Sequence, residues 1–109
     1  MDNSHEAIIC IVNKGYTDLV MEAAKASGAK GGTVLGGRGT GNSEAEAFFG
    51  VTVTPEKEIV LIIVPKAIRD AVLSAVNKGA GMDTKGLGIA FSLPLSDVVG
   101  LPDDKEGQA

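Results

Sequence analysis

The chain has 109 residues, enough for one domain with one core, and 44% of them are apolar. A formal net charge of −4, 4% aromatic content and no Trp argue against a nucleic-acid binder, which needs a basic face and stacking rings. No apolar run approaches the ~18 residues of a membrane span, the opening Met-Asp-Asn-Ser-His-Glu lacks the pattern of a secretory leader, and one cysteine cannot form an intrachain disulfide, so the expectation is a cytoplasmic protein with no direct membrane insertion.

Residues Ala7 to Val12 are continuously apolar and rich in β-branched side chains, which predicts a buried first strand. Asn13-Lys14-Gly15 breaks it. Tyr16, Leu19, Val20, Ala23 and Ala24 recur at helical spacing, with Ser27-Gly28 as the terminator. Thr33-Val34-Leu35 begins a second strand, and the run from Gly36 to Ser43 reads as a loop because of its glycine density. Val51 to Thr54 favours a strand by composition, with Pro55-Glu56-Lys57 as an interruption. Ile59 to Val64 is another buried strand. Pro65 suits the first turn of a helix, and Ile68, Ala71, Val72, Ala75 and Val76 supply its apolar stripe up to Lys78-Gly79. A second glycine-rich segment follows. Ile89, Phe91, Leu93 and Leu95 then alternate as a last strand, and Asp97 to Leu101 could add a short extra one.

The order β-α-β-β-α-β predicts an α+β fold of the ferredoxin-like type, with an antiparallel sheet and two helices on one face. A single domain spans residues 1–109, with about 7–101 structured and 102–109 a disordered polar tail. The strands are apolar on both faces, yet no element remains to cover the second face. Another copy of the chain is the simplest cover, which predicts a homo-oligomer.

Gly is abundant, 15 of 109 residues, and its clusters carry the candidate chemistry. In Gly37-Arg38-Gly39-Thr40-Gly41 the backbone amides could cradle an anion that Arg38 neutralises. The segment matches neither a Walker A loop nor a dinucleotide fingerprint, so a plain flexible loop is the competing reading. Asp83-Thr84-Lys85-Gly86-Leu87-Gly88 pairs glycines with a cation but opens no helix, and a turn is its default. His5, alone and near the terminus, reads as solvated. Cys10 reads as inert packing. Glu56-Lys57-Glu58 and Asp103-Asp104 read as solvated surface. Phe48-Phe49 is either a partner-binding tip or part of the core. Nothing forms a nucleophile–base–acid set or a metal cluster, so the chain is not expected to be an enzyme.

The layout resembles the nitrogen regulatory PII proteins and their PII-like relatives. The resemblance is carried by Gly31-Gly32-Thr33-Val34 before the glycine loop, by Glu58 to Pro65 leading into the second helix, and by Gly86-Leu87-Gly88 before the last strand. It implies a compact homotrimer that binds an adenine nucleotide (AMP, ADP or ATP) between subunits and controls a membrane transporter or an enzyme through a T-loop, here residues 37 to about 54. It also implies a ligand set of Gly31, Gly32, Thr33, Gly37, Arg38, Gly39, Thr40, Gly41, Ile63, Lys85, Gly86, Leu87 and Gly88, with no metal. Asp83 to Gly88 would be the B-loop and Val98 to Asp103 the C-loop. Three family cations are replaced, at Ile89, Gly100 and Pro102, and the family's glutamine falls at Ser43. At roughly 1.5–3 kcal/mol for each hydrogen bond to a charged group, those losses disfavour a triphosphate. Two further readings compete: a trimeric interaction module with a degenerate nucleotide site, and a metal-binding trimer of similar fold.

Overall fold

In the computed structural model, residues 4–38, 56–81 and 88–101 are described. The central strand is β1 (His5–Asn13), followed by α1 (Thr17–Ala26), β2 (Thr33–Arg38), β3 (Glu56–Pro65), α2 (Arg69–Gly79) and β4 (Gly88–Pro94). The sheet order is β2-β3-β1-β4, and every pairing is antiparallel. This is the expected ferredoxin-like arrangement, with β1 between the two strands made later.

Period-two alternation divides β1 and β3 between two faces. Ile8, Cys10 and Val12 of β1 and Val60, Ile62 and Val64 of β3 are fully buried, in one cluster with Val20 and Ala24 of α1 and Val72 and Val76 of α2. Helical spacing of four between Val20 and Ala24, and again between Val72 and Val76, places one stripe of each helix on this face. At Gly79 an added Cβ would stand 2.9 Å from the Cβ of Ala23, so α1 and α2 touch with almost no side chain between them. Gly28 closes α1 with φ +111 and donates its N–H to the Lys25 carbonyl at 3.1 Å. That left-handed backbone is the reason for glycine there.

The other face carries Ile9 and Ile11 of β1, Ile59, Leu61 and Ile63 of β3, Leu35 of β2, and Ile89, Phe91 and Leu93 of β4. The register confirms that they share a side: Ile9 stands opposite Leu61 and Phe91, and Ile11 opposite Ile59 and Ile89. Ile89 is 58% exposed and Leu93 47%. The alternation in β4 therefore points its large apolar side chains away from the helices.

Several boundaries differ from expectation. The segment from Gly36 to Arg38 is not loop but the second half of β2, paired with Glu58, Lys57 and Glu56. The ladder decides its conformation, overriding the poor strand propensity of glycine. Glu56 and Lys57 likewise open β3 and do not interrupt it. Pro65 ends β3 with extended ψ of 143, and a 3₁₀ turn at Lys66–Ile68 leads into α2. Asp97–Leu101 forms no strand. His5 is not a solvated end: it opens β1 opposite Pro65 and is 9% exposed. The proposed strand at 51–54, Phe48-Phe49, Lys85 to Leu87 and the tail at 102–109 lie outside the described residues.

Candidate functional site

The end of the sheet where β2 leaves and β3 returns is held by polar contacts to the β1–α1 turn. The Lys14 N–H donates to the Glu56 carbonyl at 3.2 Å, and Lys14 Nζ lies 3.1 Å from Glu56 Oε1. The Gly15 N–H donates to Glu58 Oε1 at 3.2 Å, and Lys57 Nζ donates to Asn13 Oδ1 at 2.6 Å. Lys14, Glu56, Lys57 and Glu58, with Gly36, Gly37 and Arg38, line an open groove of about 350 Å³. Arg38 and Glu56 are register partners, so residues 39–55 depart from and return to one cross-strand pair. Among the described residues the Arg38 guanidinium has no ion-pair or hydrogen-bond partner.

Of the ligand set expected from sequence, the structure brings Gly37 and Arg38 together in this groove. Both belong to β2, which corrects their assignment to the loop. Gly88 lies at the same end of the sheet, opposite Val12. It sits on the other edge, three strand spacings or roughly 14 Å from β2. An added Cβ on Gly88 would collide with the Ile11 carbonyl oxygen. Glycine is required there by the approach of β4 to β1, whatever else it does. Gly31, Gly32 and Thr33 lead into β2, where Thr33 stands opposite Leu61. At Gly32 an added Cβ would meet Ile62 Cγ1, the Leu61 carbonyl and Met21 Sδ, each at 3.1 Å. Ile63 lies on the bare face opposite Ala7, two residues beyond Leu61 and so at the far end of the sheet from Arg38. Within one chain the set is thus spread over both edges of the sheet. Gly39, Thr40, Gly41, Lys85, Gly86 and Leu87 lie outside the described residues.

Two polar features escaped the sequence reading. Glu56, Lys57 and Glu58 read as a solvated run, yet they line the groove and hold the β1–α1 turn. At the opposite end of the sheet Glu6, 4% exposed, accepts a hydrogen bond from Arg69 Nη1 at 2.9 Å, and the same nitrogen is 3.5 Å from Ser92 Oγ. Arg69 Nε lies 2.6 Å from Asp70 Oδ1 without hydrogen-bond alignment, so that contact is one of charge. This network ties β1, β4 and the start of α2 together across 63 residues, a separation no local motif reveals. Burial pushes the Cys10 thiol up to about 11, which keeps it neutral and unreactive near pH 7. Among the described residues no group of three or more His, Cys, Asp or Glu side chains could hold a metal ion.

The family model described as "Nitrogen regulatory protein P-II" matches residues 5–105. The chain belongs to the PII family. It is similar to the solved structure of Arabidopsis thaliana PII bound to citrate, with a TM-score of 0.67 and 27% identity over 91% of this chain and 82% of that one. No individually curated protein matches by sequence. The PII fold accounts for the split βαβ halves and for the position of the 39–55 segment between β2 and β3. By family and by fold the chain is a PII-like signalling protein. No described helix is long and apolar enough to cross a membrane.

Proposed function

We propose that this PII protein is a cytoplasmic homotrimer without enzymatic activity, which binds a small effector between subunits and regulates a partner through the segment after Arg38. The observation that carries the reading is the bare sheet face. Nine large apolar side chains lie on it, from Leu35 on one edge strand to Leu93 on the other, and Leu93, Leu35 and Ile89 are each about half exposed. Burying such residues is worth roughly 1.5–3 kcal/mol each when complete, and a monomer rarely leaves so large a patch in water. Assembly through this face would also unite the two sheet edges of neighbouring chains, so Arg38 of one could meet Gly88 or Gly31 and Gly32 of the next. The effector then sits at the stem of the 39–55 segment, where it can bias what that segment does to a membrane transporter or an enzyme.

The test has two parts. Light scattering of the purified chain should give three times the mass of one chain. A thermal-shift screen with AMP, ADP, ATP and small anions should then find a ligand, since one present at one hundred times its Kd adds about 2.7 kcal/mol. A monomer removes the shared-cleft reading. A trimer that responds to no ligand leaves an interaction module, a reading favoured by the packing reasons already found for Gly32 and Gly88.

A further inference from the structure

Packing explains the glycines at 32 and 88 but not the pair in β2. An added Cβ at Gly36 would meet nothing within 4 Å, and one at Gly37 would meet only Ile59 Cδ1, at 3.6 Å. Neither has a left-handed φ. Two consecutive glycines weaken an edge strand, and a strand glycine that packing does not require marks a place where another group approaches the backbone. Gly36 and Gly37 line the groove beside Lys14, Arg38, Glu56 and Glu58.

The charges around that floor define what fits. Lys14 is engaged by Glu56 and Lys57 by Asn13, which leaves Arg38 as the cation without a partner among the described residues. Glu56 and Glu58 stand two residues apart on one strand. Arg38 is directly opposite Glu56, and Gly36 is directly opposite Glu58. Directly opposed residues share a face. Arg38, Glu56, Glu58 and the empty position at Gly36 are therefore four corners of one patch. Lys57 stands opposite Gly37 on the other face, so on this face two cations, Lys14 and Arg38, meet two carboxylates and the charges balance. That balance suits a ligand carrying one charge of each sign better than a triphosphate. A volume of about 350 Å³ is at the lower end for small-molecule sites.

We propose that the groove takes a small zwitterion of the α-amino-acid class. Its carboxylate pairs with the Arg38 fork, in the two-pronged geometry that arginine favours. Its ammonium sits over Gly36 against Glu58 and Glu56, where a Cβ would intrude. The proposal rests on the effector-sensing reading above and names the effector class for this part of the site.

The experiment is isothermal titration of the full-length protein with the twenty common L-amino acids. Each binder is retested as its 2-oxo acid, which keeps the carboxylate and lacks the ammonium, and AMP, ADP and ATP form a separate arm. One or a few amino acids should bind, their 2-oxo acids at least tenfold more weakly. Arg38→Ala should abolish binding. Glu58→Gln should weaken the amino acid but not its 2-oxo acid, and because glutamine can still accept from the Gly15 N–H, the turn is kept. Gly36→Val should block binding with an unchanged oligomer mass. Binding of a nucleotide alone would overturn this inference and leave the sensor reading standing. No binding in either arm would overturn both. An amino acid that binds Arg38→Ala as well as wild type would overturn the site.

Discussion

The two faces of this sheet are built from nearly the same residues and have opposite fates. Under the helices, Ile8, Cys10, Val12, Val60, Ile62 and Val64 are sealed from water. On the reverse, Ile9, Ile11, Ile59, Leu61 and Ile63 alternate with them and are only partly covered by their own neighbours. Both sides are apolar throughout, so what distinguishes them is the supply of covering elements. One chain has two helices, and both are used on one face. An apolar strand therefore reports that it will be buried, not by what.

The largest effect expected from this contrast is at Ile62. Truncation to Ala under the helices should cost roughly 2–5 kcal/mol of unfolding free energy, by lost transfer and by the cavity left behind. Chemical denaturation would measure it, and a loss below 1 kcal/mol would mean the helix face is loosely packed. Next comes the alkaline behaviour of Cys10. Its folded pKa, about 11, lies above the reference 9.0, so the unfolded chain gives up its proton first. The stability it contributes is complete below pH 9 and is lost as pH rises to 11, by at most about 2.7 kcal/mol. Cys10→Val should remove that part of the slope. Gly88→Ala should cost about 1–3 kcal/mol, because its Cβ must displace the Ile11 carbonyl, and a neutral result would show that β4 can drift from β1. Smallest for the single chain is Phe91→Asp on the bare face. It should change folding of one chain by about 1 kcal/mol or less and yet convert the proposed trimer to monomer in light scattering. A trimer that survives the charge would move the seam elsewhere.

Much of the fold was legible because it is periodic. The apolar runs in β1 and β3, the stripes of α1 and α2 and the alternation in β4 each belong to a local segment. The second half of β2 was not legible. Gly36 and Gly37 have no strand preference, and only the partner strand Glu56 to Glu58 makes them extended. His5 escaped for the same reason, since its partner Pro65 lies 60 residues on. At the site, Arg38 could be picked out as a cation among glycines. The role of Glu58 could not, because its carboxylate meets the Gly15 amide across 43 residues. Glu6 and Arg69 are likewise ordinary surface residues until the chain is folded. Local chemistry is readable from the sequence, whereas pairing across the sheet is not.

The place of β1 at the centre of the sheet has a consequence for how the protein is made. It emerges from the ribosome ahead of both its neighbours, β3 and β4, and it has no partner until residue 65 and then residue 94 have been synthesised. Nearly all its hydrogen bonds close long loops, which is the topology of slow folders. Until then Ala7 to Val12 is an apolar β-branched segment with neither partner strand, the kind of sequence that mispairs when left exposed.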